Sequence, residues 1–379
     1  MQARTPASTV QVPDLMTNSP LRRFGLRPDA MKRRHLLRAF VAAPWLTSFA
    51  RAAFAVDRPA AIIAAQFGTL PPAHAVQRVF AAGAPASVLI AVLAPEKLLG
   101  WPFRLSPQAA AWLSPTLAGL PHLGRLAGRG STVSSETLLQ LQPDLIVDVG
   151  TVDATYRSAM QRTAEQTGLP CVLLQGRFAE HPAQLRDAGR LLGAAERGEH
   201  LAVRAEALVA LAAQARAIAA ATRPPRVYFG RGSDGLETGL QGSINMEIVE
   251  ACGGHNVAAE AGSGGIVRVS PEQILAWDPE VILTQDIDFA VRVRSDPLWR
   301  SVSAVRSGRV HLAPNLPFGW LDGPPGVNRL IGVRWLIERL FPALLAHEPP
   351  LTAVASAFYR EFYGFDADEV AIAALLAEP

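Results

Sequence analysis

The chain has 379 residues, 49% of them hydrophobic and 18% charged, with a formal net charge of +3. That exceeds one ordinary core and is a normal balance for a packed chain, so two domains are expected. There is no basic stripe interleaved with aromatics, which argues against nucleic acid, and no run of about 18 uncharged apolar residues that would span a membrane.

Residues 1–30 have no apolar periodicity, and Met31 is a plausible start of translation. Beyond it, Arg33 and Arg34 precede an apolar stretch at 39–50 and small residues around Ala52 and Ala55. This resembles a twin-arginine export signal. Cleavage after Ala52 or Ala55 leaves no cysteine at the new terminus, so a lipid anchor is not expected. Residues 1–55 are therefore set apart from the folded chain.

From residue 56 to 193 strands and helices alternate. Strands are expected at 78–81, 98–101, 144–149 and 170–174, with helices at 83–93 and 154–167, a pattern that gives a parallel sheet covered on both faces. Ligands gather at the carboxyl ends of such strands. That rule selects Ala84 and Ser87, Trp101 and Arg104, Thr151 and Tyr156, and Arg177 and Phe178. Cys171 and Cys252, far apart and each in apolar surroundings, read as two buried free thiols.

An alanine-rich run at 194–222 carries almost no turn chemistry. Leu201, Ala205, Leu208, Leu211, Ala212, Ala215 and Ile218 recur at helical spacing, so a single helix roughly 40 Å long is expected to tie the halves together. Residues 223–379 then repeat the α/β plan. A strand at 226–229 ends in a glycine-rich loop holding Arg231, Ser243 and Asn245 open a helix, and further strands are expected up to Leu283 and at 309–312. A proline-rich loop at 314–325 carries Phe318, Trp320 and Asp322 to the mouth of the cleft. Helices at 353–363 and 366–376 are expected to pack on this second half.

Two segments in opposite halves share one register. Ser134, Glu136, Pro143 and the apolar run at 144–147 correspond to Ser270, Glu272, Pro279 and the run at 280–283. Each copy has a capping serine, a glutamate in the first helical turn, a proline break and a buried strand. Glu136 and Glu272 therefore hold equivalent places in two lobes.

With the double glycine at Gly253 and Gly254 and the stretches at 296–310 and 319–336, these segments resemble the periplasmic solute-binding proteins of the iron-siderophore, haem and cobalamin ABC importers. The resemblance spans about 78–342. It implies two Rossmann-like α/β lobes with central parallel sheets, joined by a single long helix, with small lobe motions. It also implies a monomer, exported to the periplasm and without cofactor, that works with an inner-membrane permease dimer and its ATPase. By the same resemblance Glu136 and Glu272 dock onto arginines of the permease.

The ligand is less specified. Arg177 and Arg231 follow strands in different lobes and are candidates to converge on an anion. Trp101, Thr151, Phe318, Trp320 and Asp322 complete the expected site, with the aromatics as a platform for a metal complex, most naturally a ferric siderophore-like one. A bare metal ion is not expected, because the histidines have no ligand spacing. A small oxyanion such as molybdate or tungstate is the alternative, and it would need the arginines and few aromatics. An enzyme using Asp286, Asp288, Asp322 or Ser233 finds no supporting nucleophile elbow, histidine pair or phosphate loop.

Overall fold

The computed structural model describes residues 62–126 and 130–378. The expected export signal and its cleavage site lie outside the described residues. The first lobe is built on β1 (Ile63–Phe67), β2 (Val79–Ala81), β3 (Leu145–Gly150) and β4 (Cys171–Gln175), in the spatial order β1-β4-β3-β2. The second lobe has β5 (Arg226–Phe229), β7 (His255–Asn256), β9 (Val281–Thr284) and β10 (Val310–Leu312), in the order β10-β9-β5-β7. A separate antiparallel pair, β6 (Glu237–Gly239) with β8 (Ile266–Arg268), stands beside it.

The central strands are parallel and nearly fully buried, as continuous Val, Ile and Leu runs require. The two-lobe α/β architecture with its long helix is the one the sequence implied. Two details differ. β1 is an antiparallel edge strand against β4, and residues 98–101 form only isolated bridges to Val79 and His122. At Gly100 a side chain would meet the Pro121 carbonyl at 2.6 Å, so two chain segments cross there too closely for a strand to continue.

The two copies of the repeated motif fold alike. Ser134 and Ser270 accept from the backbone N–H three residues on, opening helices Ser135–Leu141 and Pro271–Trp277. Both helices end in a left-handed residue, Gln142 (φ 45°) and Asp278 (φ 39°), that turns the chain into β3 and β9.

The linking helix runs Ala195–Ala221, and Leu201, Ala202, Ala205, Ala212, Ala215 and Ala219 form its buried stripe. Ile218, expected in that stripe, is exposed. Small residues let neighbouring backbones approach: a side chain on Gly198 would lie 2.5 Å from the Leu185 carbonyl, in the helix His181–Leu191. At the other end Gly253 packs against Ala215 and Ala219.

The C-terminal helices pack on the second lobe as expected, where Tyr359 meets Trp320 and Tyr363 meets Phe318, and they also reach the linking helix and the first lobe. Arg204 pairs with Glu361 at 2.7 Å, Arg197 donates to the carbonyls of Glu361 and Phe362, and the Tyr359 ring meets Trp112 edge-on at 5.3 Å. Glu378 also reaches the second lobe, at Arg294 and His311. The reason is apolar: Phe358, Tyr359, Phe362 and Tyr363 are buried in the same core cluster as Trp101, Leu201 and Trp320.

Where the lobes meet, Arg329 on the helix Arg329–Leu340 is fully buried. Its guanidinium donates to the Ile244 carbonyl (2.9 Å) and to Glu247 (3.5 Å) in the second lobe. It also donates to the Gly176 carbonyl (3.2 Å) and His181 Nε2 (3.4 Å) in the first. Burial, then the Arg329 charge, pushes the His181 imidazole down to about 3, so it is neutral in the fold. The unfolded imidazole protonates near 6.5, so unfolded chains bind the extra proton below that value and stability falls with pH between about 6.5 and 3. Denaturant unfolding between pH 7 and pH 4 is expected to show this slope, up to about 1.4 kcal/mol per pH unit, and His181→Gln is expected to reduce it.

Candidate functional site

The carboxyl ends of β3 and β5 face one cleft of about 860 Å³. The first lobe contributes Pro85, Arg125, Asp148, Thr151 and Tyr156, and the second Arg231, Asn245, Arg268 and Asp322. Arg231 follows β5, and its backbone pairs with Glu237 in both directions. The turn between them needs Gly235, whose φ is +70° and where any side chain would strike the Phe289 ring.

The Arg231 side chain is held by Asp322, Nη2 to Oδ2 at 3.1 Å. Asp322 is 4% exposed at its side chain and accepts from Asn245 Nδ2 at 2.9 and 3.0 Å. The loop carrying it is pinned in turn. The Asp322 amide donates to Gln285 Oε1 (2.8 Å), and Asn328 Nδ2 donates to the carbonyls of Gly319 and Pro324. Two atoms of this network are left over: Arg231 Nη1 and Asn328 Oδ1 are buried and have no hydrogen-bond partner.

Asp148, near the carboxyl end of β3, is 2% exposed. Its Oδ1 accepts from the Val149 amide at 3.0 Å, whereas Oδ2 is buried and without a partner. Burial pushes this carboxyl up to about 7, and the Val149 bond offsets only part of that. Tyr156 is raised by burial, then by the nearby charges of Asp148 and Asp153. On the opposite wall Arg268 is ion-paired with Asp234.

Of the residues singled out from sequence, the cleft contains Ala84, Thr151, Tyr156, Arg231 and Asp322. Arg177 is instead 72% exposed at its side chain and lines an adjoining depression with Glu180 and Glu250, where it pairs with Glu247 at 3.6 Å. Its expected convergence with Arg231 therefore fails. Trp101, Phe318 and Trp320 are 1–2% exposed and belong to the core. Trp101 packs on Phe318 with ring centroids 5.6 Å apart and donates to the Leu117 carbonyl, and Trp320 donates to the Tyr359 hydroxyl. Burial has claimed their apolar area, so no aromatic platform faces the cleft from these three. Arg125, Asp148, Asn245 and Arg268 line the cleft and were not singled out. Only Asp148, a carboxyl inside an otherwise apolar buried strand, left a readable signal.

Glu136 and Glu272 are both exposed in the first turn of their helices. Their positions match as the repeat requires. The backbone amide and the Ser270 hydroxyl hold the Glu272 carboxyl below the usual range.

A family model described as periplasmic binding protein matches residues 121–316. The chain belongs to that family. The molybdate-binding protein MolA of Haemophilus influenzae is 26% identical over 269 residues, 64% of this chain and 74% of that protein. Its molybdate-bound structure superposes with a TM-score of 0.63 at 22% identity, over 79% of this chain and 96% of that one. An ABC transporter solute-binding protein from Sulfurospirillum deleyianum gives a TM-score of 0.73 at 25% identity, over 81% of this chain and 95% of that one. The chain is a substrate-binding component of the ABC-importer type, a transport protein rather than an enzyme.

The Arg231–Asp322–Asn245 network makes a direct prediction. Asp322→Ala leaves a buried guanidinium edge and a buried amide without their acceptor, and is expected to lower unfolding free energy by about 1–3 kcal/mol in denaturant melts. An unchanged midpoint would show that water replaces the carboxylate at no cost.

Proposed function

We propose that the cleft captures a compact oxyanion of the molybdate or tungstate kind and that the protein hands it to an inner-membrane importer. The observation that carries this reading is the buried, unpartnered Nη1 of Arg231 on the cleft lining, a guanidinium nitrogen whose N–H groups can make a charge-assisted bond to an anion. Arg125 from the first lobe and Arg268 from the second line the same cleft, so cationic groups approach from both sides. Trp101, Phe318 and Trp320 lie in the core, so the stacking surface expected from them for a ferric siderophore-like complex is not available. That a relative binds molybdate adds support of the same sign. A bulkier metal complex retains one argument, the size of the cleft, about 860 Å³.

Titration calorimetry with molybdate, tungstate, a ferric siderophore and haem tests the choice. Molybdate or tungstate is expected to bind, and Arg231→Gln to weaken it by roughly 10- to 100-fold, the worth of a charged hydrogen bond. Binding of a chelate with no response to either oxyanion would overturn the reading.

Delivery rests on Glu136 and Glu272, matched carboxylates exposed on the two lobes that suit a cationic permease surface. Glu136→Ala with Glu272→Ala is expected to reduce cellular uptake severalfold while leaving ligand affinity unchanged. Uptake at the native rate would sink the docking role.

A further inference from the structure

Two residues that line the cleft each carry a buried polar atom without a partner, and the two atoms are of opposite kind. Arg231 Nη1 can only donate, and Asp148 Oδ2 can accept or, once protonated, donate. An oxyanion that satisfies the first poses a problem for the second, because two acceptor oxygens brought together repel unless a hydrogen lies between them. Asp322 does not share this problem, since Arg231 and Asn245 already occupy its oxygens. Asp148 has one backbone N–H and nothing else.

We propose that Asp148 couples ligand capture to a proton: in the complex its Oδ2 carries a hydrogen and donates it to an oxygen of the bound oxyanion. The inference rests on the oxyanion reading above and deepens it, making Asp148 a specificity residue that accepts a fully deprotonated oxyanion by supplying the hydrogen itself. The proton comes from solvent on binding and returns to solvent on release, so charge and atoms balance. From its own lobe Asp148 faces Tyr156 and Asp153 on and before the helix Ala154–Thr167, and Arg125 across the lining. From the other lobe the cleft presents Arg231, Arg268, Glu237 and Asp322. An added anion favours the neutral carboxyl over the charged one.

The sign of the pH dependence follows. Burial already places the free carboxyl near 7. Below that value it holds its proton before the ligand arrives, and affinity is flat. Above it a proton must be taken up, and affinity falls by up to about tenfold per pH unit.

The test is calorimetry of molybdate binding at pH 6 and at pH 8, each in two buffers of different protonation heat. Native protein is expected to take up close to one proton at pH 8 and almost none at pH 6, with affinity up to about tenfold weaker at pH 8. Asp148→Asn, whose amide donates without titrating, is expected to bind at both pH values with equal affinity and no proton uptake. Molybdate binding by native protein with buffer-independent heats and one affinity at both pH values would overturn the coupling alone. Uptake that persists in the folded Asp148→Asn protein would overturn the assignment to Asp148. Absence of molybdate binding at either pH removes the oxyanion reading and this inference with it. If the melting temperature shows that the variant does not fold, the two-buffer measurement on native protein decides by itself.

Discussion

A buried guanidinium holds this molecule's two halves in register. Arg329 donates to carbonyls and side chains of both lobes at once, with its carbon 5.7 Å from the centre of the Phe178 ring. Removing such a group from water costs several kcal/mol, and that cost is offset only if every N–H finds a partner in the right place. The partners come from Gly176 and His181 on one side and from Ile244 and Glu247 on the other, so any rotation of one lobe against the other breaks part of the set. Glu247 tightens the same junction by accepting from the Phe178 amide at 2.8 Å. His181 can serve only as a neutral acceptor here, its Nδ1–H directed to Gln184, which is why its environment suppresses protonation. A cleft framed this way is largely formed before the ligand arrives, and little ordering cost is left for binding to bear.

The long helix contributes by being thin. Alanines and Gly198 on its buried face bring the backbone of the helix His181–Leu191 within contact distance, and Gly253 does the same at its far end. Larger residues would hold these elements apart and lengthen the reach between lobes. Its interior stripe is therefore fixed by closeness of approach more than by hydrophobic area, and this explains why Ile218, the largest apolar residue near its end, is left facing solvent. The C-terminal segment then lies across this helix and seals the core from the outside, joining Trp112 of the first lobe to Trp320 of the second through Tyr359.

The architecture was legible in the sequence because its signals are local. A capping serine, a first-turn glutamate and a buried β run occur twice within fifteen residues each, and both copies fold as their side chains dictate. The site was legible only in part. Thr151, Arg231 and Asp322 lie in the cleft because strand ends and the loop after β10 are where such a fold gathers its ligands. Phe318 and Trp320 sit on that same loop, but the residues that bury them, Tyr359 and Tyr363, come about forty positions later, beyond the reach of local pattern. Arg177 follows a strand as Arg231 does, yet the neighbouring Glu247 draws it into the adjoining depression. Local pattern does not reveal which distant carboxylate will claim an arginine. β1 was missed for a related reason, since an edge strand of five residues carries no alternation strong enough to stand out.

Two carboxyls with opposite surroundings define the chemistry of the cleft. Asp322 is surrounded by donors and fixes Arg231 in place, so the guanidinium is aimed before any ligand enters. It also partly neutralises that charge, which on the proposed reading moderates the pull on an anion and favours its release. Asp148 is surrounded by apolar strand neighbours and one amide, so its charge is costly and its proton is retained to much higher pH. Environment alone separates the two roles. A cleft with only the first carboxyl would bind an anion by attraction and discriminate weakly among anions of similar size. On the proposed reading, the second carboxyl adds a single directional hydrogen whose presence depends on the solution, and capture then responds to acidity as well as to ligand concentration.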